Sequence, residues 1–450
     1  MSALARWFRA NGHAVSGYDK TETLLTQALV TEGIAVHYTD AVANIPVEVL
    51  ENQAKTLVVL TPAISADSRE WAWLRAQGYD IRKRSQVLGV LTQGRPTIAV
   101  AGTHGKTTTS SMVAHLLHHA GLPAGAFLGG ISVNLESNLL LPTTPDAPVV
   151  VEADEYDRSF LTLHPAIAIV TSTDADHLDI YGTQMALIDS FCQFVSQLKP
   201  GGTLLLNHTA DARVAAAVPP GTRVVHYGLN AAQGADLYAK NVAVEGHQFR
   251  FDLHGPSGSV SDLKLAVPGF HNVENMLAAA AVAQQLGVRA AALRAAVAAY
   301  RGVKRRFEFI LTAPNGKVYL DDYAHHPREI EAFLHSVRAL YPDKRLRVVF
   351  QPHLFSRTRD FAEGFSRSLS LADEVVLLDI YPARELPIEG VCAAMLLPAI
   401  TAAKKSIQTK AQVLTAAAAD ENFDVLATVG AGDIDTLVPQ LKFILAAKWQ

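Results

Sequence analysis

An α/β protein built from more than one domain is what this sequence predicts, on three observations. Short runs of strand formers alternate with helical stretches at the spacing of a parallel sheet with crossover helices. One of those strands, Thr97-Ile98-Ala99-Val100-Ala101, runs into a glycine-bracketed turn and then a helix. The chain has 450 residues, more than one core accommodates, which suggests two to four domains of roughly 100 to 200 residues each.

The N-terminal elements come first. Met1 to Ala10 reads as a helix with Leu4, Trp7 and Phe8 on one side, stopped by Gly12. A strand at Ala14–Tyr18, a helix at Leu24–Thr31, a strand around Ile34–His37 and another at Thr56–Leu60 then argue for a doubly wound parallel sheet. Asp19 sits at a strand end, where an acidic residue accepts from a ribose hydroxyl in dinucleotide folds; a solvated turn residue reads equally well. The polar, basic stretch from Arg82 to Pro96 closes on Gly and Pro and marks a boundary.

The turn after Ala101 is the most informative segment. Gly102-Thr103-His104-Gly105-Lys106-Thr107-Thr108 precedes a helix whose Met112, Val113, Leu116 and Leu117 recur at helical spacing. Glycines let backbone N–H groups converge on an anion at a helix N-terminus. Lys106 supplies a mobile charge for outer phosphates, and the Thr107 hydroxyl suits Mg2+. The position five before Gly105 is Val100, so this is a shorter variant of the common phosphate loop. An ordinary turn would explain the glycines but not Gly-Lys-Thr at a helix start.

Two further strands end in acids. Val149–Val151 leads into Glu152-Ala153-Asp154-Glu155, and Ala166–Thr171 leads into Asp174-Ala175-Asp176-His177. Glu152 and Asp154 share one face of an extended chain. Carboxylates at the C-terminal edge of a parallel sheet sit where ligands bind, and a nucleotide brings Mg2+ that wants oxygen ligands. Glu152 and His177 are therefore metal candidates beside Thr107. The sequence places these two strands next to each other.

In the last third, Lys317–Leu320 ends in Asp321-Asp322, Arg347–Phe350 ends in Gln351, and Val425–Val429 closes on Gly430-Ala431-Gly432. The intervening helices are amphipathic. Alanine-rich stretches at 278–283, 290–299 and 411–419 read as closely packed helices.

Composition removes some classes of function. With 49% apolar and 18% charged residues the chain is an ordinary globular protein, and its net charge of −4 gives no reason for a nucleic-acid or membrane partner. Two distant cysteines, Cys192 and Cys392, exclude a disulfide framework and a thiolate zinc cluster, fit a reducing cytoplasm, and are expected to be small buried hydrophobes. No apolar stretch is long enough to span a bilayer.

Taken together, Gly102–Thr108, Glu152–Glu155, Asp176-His177-Leu178-Asp179 and His271-Asn272-Val273-Glu274-Asn275 resemble the Mur ligases. So do Gly302-Val303-Lys304-Arg305-Arg306-Phe307, Asp321-Asp322-Tyr323-Ala324-His325-His326-Pro327 and Gln351-Pro352-His353-Leu354-Phe355-Ser356-Arg357-Thr358. These blocks span nearly the whole chain in the family's order. The resemblance implies three domains: a Rossmann-like UDP-substrate domain at 1–94, a P-loop ATPase domain at 95–301 and a Rossmann-like amino-acid domain at 302–450. It implies ATP-dependent joining of L-alanine to UDP-N-acetylmuramate through an acyl phosphate, by a cytoplasmic monomer or homodimer using ATP and Mg2+. A tripeptide-adding recycling ligase, or a nucleotide-binding member without ligase activity, are the alternatives.

By that resemblance, Gly102, Thr103, His104, Gly105, Lys106, Thr107, Thr108, Asn272, Arg306 and Asp322 contact ATP, while Thr107, Glu152 and His177 serve metal. Tyr323, His325, His353 and Arg357 line the substrate site with Asp19 at the UDP end. Lys106 is catalytic, and either His177 or His325 is the general base for the amine. Three departures stand out. Relatives begin with a strand and a Gly-x-Gly-Gly-x-Gly turn followed by Met-Ser-Ala-Leu-Ala, so Met1 is expected to be internal to a longer protein and the first sheet to lack a strand. Leu354 replaces an arginine common after the histidine. No lysine lies in Gly182–Gln197, as in the L-alanine-adding branch.

Overall fold

In the computed structural model, residues 1–61, 64–65, 67–175, 178–231, 234–246, 248–383, 385–419 and 422–449 are described. The chain forms two compact units: Met1–Tyr238 with His254–Gly258 and Asn275–Ala296, and Ala239–Leu253 with Ser259–Glu274 and Val297–Gln450.

In the first unit the strand Thr97–Ala101 is fully buried and central, as its unbroken apolar run requires of a parallel strand covered on both faces. Val149–Glu152 pairs parallel on one side of it and Ile167–Val170 parallel on the other. The sheet continues outward through Thr203–Asn207 and Arg223–Gly228 in one direction, and through Gly125–Ser132 and Ser137–Leu140 in the other. The two acid-tipped strands thus flank the loop strand and do not adjoin each other, which corrects the sequence expectation. Their order in the chain gave no reason to insert Thr97–Ala101 between them. The chain reverses its direction of winding at this strand, and the carboxyl ends there open the crevice in which α/β sheets bind ligands.

The helix Lys106–His119 follows the loop, with Met112, Val113, Leu116 and Leu117 wholly buried as their spacing predicts. Below the acid tips, the segment Tyr156–Thr162 is anchored by Phe160, which stacks on Phe194 at 4.9 Å and meets Phe191 edge-on at 5.4 Å. All three rings are buried.

Near the N-terminus lie two separate parallel pairs, Ser16–Tyr18 with Ala35–His37 and Leu57–Leu60 with Asp80–Lys83. The pairs are parallel, as the spacing predicts. Among the described residues, however, they do not join into one sheet. Leu57–Leu60 carries four apolar side chains and buries none of them fully.

The second unit holds a six-stranded sheet in the order Glu308–Thr312, Val318–Asp322, Val425–Val429, Leu346–Phe350, Glu374–Leu377, Lys404–Ile407. Only the first strand is antiparallel, to Val318–Asp322. Asp322 and Phe350 both lie in register with Val429, so the segments that follow them leave the sheet at the same edge. Gly430 holds a φ of 147°, and a Cβ there would meet the Gln351 carbonyl at 2.7 Å, so both conformation and space call for glycine. The Gly-Ala-Gly turn is thus a point of close backbone approach.

Two expectations are corrected. Cys392 is exposed, and only Cys192 is partly covered. Of the alanine-rich helices, Phe270–Gln285 buries Ala278, Ala279, Ala280 and Ala283, but Lys410–Ala419 buries only Val413 and Ala417. The latter is a surface helix in which alanine serves propensity more than packing.

Replacing Phe160 by Ala should destabilise the protein by about 3–5 kcal/mol through the cavity left between Phe191 and Phe194. Urea unfolding checks it, and a loss below about 1 kcal/mol would show that the acid segment is not anchored by this ring.

Candidate active site

The phosphate loop is held from below by the neighbouring strand end. Thr103 Oγ1 lies 2.8 Å from Ser172 Oγ, the His104 amide donates to that same Ser172 oxygen at 2.9 Å, and the Asp174 amide donates to Thr103 Oγ1 at 3.2 Å. Thr171 Oγ1 donates to the Ala101 carbonyl at 3.1 Å and to the His104 carbonyl. Gly102 has φ 133° and faces Thr171 so closely that a Cβ would collide with its hydroxyl. Gly105, with φ 81°, caps the helix start against Asn275 Oδ1, where a Cβ would come within 2.9 Å. Both glycines answer a positive φ and a close approach at once. His104 Nε2 stands 3.7 Å from Asp174 Oδ2.

Lys106 is the charged centre of this arrangement. Its Nζ donates to the Gly102 carbonyl at 2.7 Å and meets the two Glu155 oxygens at 2.9 and 2.8 Å. Glu155 is wholly buried and Lys106 is 13% exposed, so each charge compensates the other in a place where either alone would be costly. Burial works against the ammonium, yet Glu155, then Asp154 and Glu152, hold its pKa above the ordinary lysine value. The Glu155 carbonyl accepts from Tyr181 Oη at 2.5 Å, and burial raises that phenol to about 12. Sequence reading put Glu155 in the acidic tip without singling it out, and it missed Ser172 altogether. The signal for Ser172 was its place at a strand end beside the loop.

Glu152 lies in register with Val100 and accepts from the Gly129 amide at 3.0 Å. The Thr107 hydroxyl, in the first turn of the helix Lys106–His119, and the Glu152 carboxylate, at the end of the adjoining strand, are oxygen donors of the kind a hard divalent cation takes. No cluster of three or more His, Cys, Asp or Glu side chains is positioned for metal among the described residues. His177 and Asp176 lie outside the described residues. Thr108 is buried in the first turn of the helix. Asp19 is exposed and accepts from the Thr21 amide at 3.1 Å, the geometry of a turn residue.

The second unit gathers the remaining candidates. Asn272 is buried and donates through Nδ2 to the Pro268 carbonyl at 2.7 Å. Asp322 accepts from the Phe307 amide at 2.7 Å and from the Ala324 amide at 2.8 Å. Burial nevertheless pushes its carboxyl up to about 6, against Arg306 and those two hydrogen bonds. Arg306 lies over the Tyr323 ring at 5.1 Å, with Arg305 over it at 5.2 Å. Arg305 is fixed by Asp321 at 3.0 Å and by the Gly430 carbonyl at 2.7 Å.

His325 Nδ1 is 3.0 Å from the Tyr323 carbonyl, and its ring is 6.0 Å from that of His353, which stacks on Tyr381 at 5.8 Å. Leu354 holds a φ of 70°, rare for an L residue, under hydrogen bonds from its amide to Tyr381 and from Thr358 to its carbonyl. Arg357 is buried in the helix Phe355–Asp360 that follows. Tyr323, His325, His353 and Arg357 thus lie near one another at one sheet edge. Burial lowers His325 to about 4, with Glu329 opposing and Arg357 and Arg306 assisting. The imidazole is therefore uncharged at pH 7 and a weaker base than an ordinary histidine.

Known proteins match along the whole chain. Residues 1–95 match the profile described as Mur ligase family, catalytic domain; residues 100–283 the Mur ligase middle domain; residues 305–434 the Mur ligase, glutamate ligase domain. The chain belongs to the Mur ligase family, and it is an ATP-dependent ligase. It is 46% identical over 452 residues to the UDP-N-acetylmuramate--L-alanine ligase of Cytophaga hutchinsonii, covering 100% of this chain and 95% of that protein. It is likewise 46% identical over 442 residues to the enzyme of that name from Porphyromonas gingivalis, covering 98% and 96%. Among solved structures, the UDP-N-acetylmuramate-alanine ligase of Thermotoga maritima superposes with a TM-score of 0.82 at 26% identity, covering 100% of this chain and 97% of that one.

Two outcomes follow from this geometry. Lys106→Ala should reduce ATP-derived phosphate release by about a thousandfold or more, because the charge facing the outer phosphates is gone; residual turnover within tenfold of wild type would remove Lys106 from the chemistry.

The second concerns acid stability. The His325 pKa in the folded protein is below that of the unfolded chain, so its contribution is complete above about pH 6.5 and is lost as pH falls toward 4, by about 3 kcal/mol at most. His325→Gln should flatten the fall in stability between pH 6.5 and 4 in urea titrations, and an unchanged slope would show that the imidazole is not buried.

Proposed function

We propose that this chain joins L-alanine to UDP-N-acetylmuramate with cleavage of ATP, in the cytoplasmic assembly of peptidoglycan precursors. The observation that carries the choice of substrates is 46% identity across the entire chain to ligases of that name. The division of labour we propose is 1–94 for the UDP end, 95–301 for ATP and 302–450 for the amino acid.

A carboxylate and an amine do not condense unaided in neutral water, because the carboxylate is a poor electrophile. Transfer of the ATP γ-phosphoryl group to it gives an acyl phosphate, which the L-alanine amine attacks with loss of phosphate. Lys106 stands parked on Gly102 and Glu155, from where its flexible stem can turn to the outer phosphates and balance the charge that moves during transfer. The amides of Gly102–Lys106 and the start of the helix 106–119 cradle the phosphate chain. Thr107 and Glu152 would hold Mg2+, with His177 a further ligand. The metal supplies charge neutralisation between the triphosphate and the acceptor carboxylate.

The amine must lose a proton to attack. His325, neutral at pH 7 and grouped with Tyr323, His353 and Arg357, takes that proton. Arg357 is the cation of this group and pairs with a carboxylate of the bound substrates. Asn272, Arg306 and Asp322 complete the nucleotide contacts, and Asp19 those of the UDP ribose.

Phosphate release should require ATP, UDP-N-acetylmuramate and L-alanine together. With a γ-linked tripeptide in place of L-alanine it should fall to the rate seen without amine. Release dependent on the tripeptide would reassign the chain to recycling, and none that depends on the acceptor would remove the ligase reading.

A further inference from the structure

The group of residues around His325 contains a carboxylate that none of the sequence motifs singled out. Glu329 lies in the first turn of the helix Pro327–Leu340, which His326 caps by accepting from the Arg328 amide. Its Oε2 accepts from the His325 amide at 3.0 Å and lies 3.4 Å from His325 Nδ1, while Oε1 is 3.9 Å from Arg306 Nη1. The side chain is only 13% exposed. One carboxylate therefore touches both the base and the cation that the preceding motifs contribute.

The imidazole proton can be placed from these contacts. Nδ1 faces two oxygens that only accept, the Tyr323 carbonyl at 3.0 Å and Glu329 Oε2. The ring hydrogen is accordingly on Nδ1, and Nε2 carries the lone pair that removes a proton from the amine. Every other charged group facing the ring from the packed elements opposes its protonation: Arg306 from the segment before Glu308–Thr312, and Arg357 from the helix Phe355–Asp360. Tyr323 and His353 adjoin it without charge. Glu329 is the charged group that favours an imidazolium once the proton has moved, and the hydrogen bond to the Tyr323 carbonyl adds to it.

We propose that Glu329 is a positioning residue for the ligation step. It orients His325 through its backbone, sets Arg306 beside Tyr323, and stabilises the imidazolium that forms when Nε2 accepts the amine proton, as the carboxylate of a hydrolytic triad does for its histidine. The proposal rests on the ligase reading above. A simpler role also fits the position, since a Glu three residues after an N-cap commonly satisfies a backbone amide there. The two roles separate cleanly, because an amide oxygen can still accept from the His325 N–H but carries no charge.

Glu329→Gln should therefore leave the melting temperature within a few degrees of wild type while lowering kcat with L-alanine by about 10- to 100-fold. kcat/KM should fall in proportion, the pattern of an interaction made only in the transition state. Loss of the anion makes His325 harder to protonate, so its titration midpoint should move to lower pH. This is read by NMR on protein carrying nitrogen-15 histidine, with the His325 signal assigned by its loss in His325→Gln. Glu329→Asp, which keeps the charge one methylene further away, should restore part of kcat. If the Gln variant does not fold, the Asp variant decides: a midpoint below wild type supports the role and one equal to wild type overturns it. In a folded Gln variant, unchanged kcat, or lowered kcat with an unmoved midpoint, overturns the charge role. The midpoint is measurable whether or not the wild type ligates, so failure of the ligase reading appears separately, as absence of acceptor-dependent phosphate release from the wild type.

Discussion

A buried ammonium has to be neutralised, and much of the first unit is arranged to do so. Lys106 stands at the start of a helix, where the backbone dipole already disfavours a cation. It is stable there because Glu155, wholly buried, brings both oxygens within ion-pair distance, one of them accepting a hydrogen bond, and the Gly102 carbonyl accepts a second. Glu155 in turn depends on the segment that Phe160 pins between Phe191 and Phe194. A cluster of buried aromatic rings thus helps to fix where the Lys106 ammonium rests.

The second unit solves a related problem with the opposite result. Its parallel strands also end in polar residues at one edge, but burial dominates there. It lifts Asp322 to about 6 and lowers His325 to about 4, so the edge presents a weak acid beside a neutral base. Arg306, stacked over Tyr323 and within 3.9 Å of Glu329, places a positive charge at the same edge. Both shifts, of Asp322 and of His325, have one cause, since burial raises the cost of the ionised form of either side chain.

The motifs were legible in the sequence because their chemistry is local. Gly-Lys-Thr at a helix start reads directly, since consecutive residues share one turn. The grouping of Tyr323, His325, His353 and Arg357 came from the resemblance of their motifs to those of the Mur ligases, and no spacing revealed their distances. Ser172, Glu155 and Glu329 were not legible as functional residues. Each acts on a neighbour through a side chain whose direction depends on packing, and a serine or glutamate in such a place is otherwise unexceptional. The order of the central strands was misjudged for a similar reason. Strand-to-strand adjacency is decided by which crossover packs back over which face, a long-range choice that local periodicity does not encode.

By itself the sequence determined the α/β class, the phosphate loop, the parallel pairing and the set of groups available for chemistry. All of these follow from residue type, period and short spacing. Tertiary structure alone decided that the loop strand lies between the two acid-tipped strands, that Glu155 and not Glu152 holds Lys106, and that the histidine at the second edge is neutral with its proton on Nδ1. Those are matters of burial and of angstrom-scale distance between residues far apart in the chain. Desolvation and Coulomb energies change steeply over such distances, and no one-dimensional pattern records them.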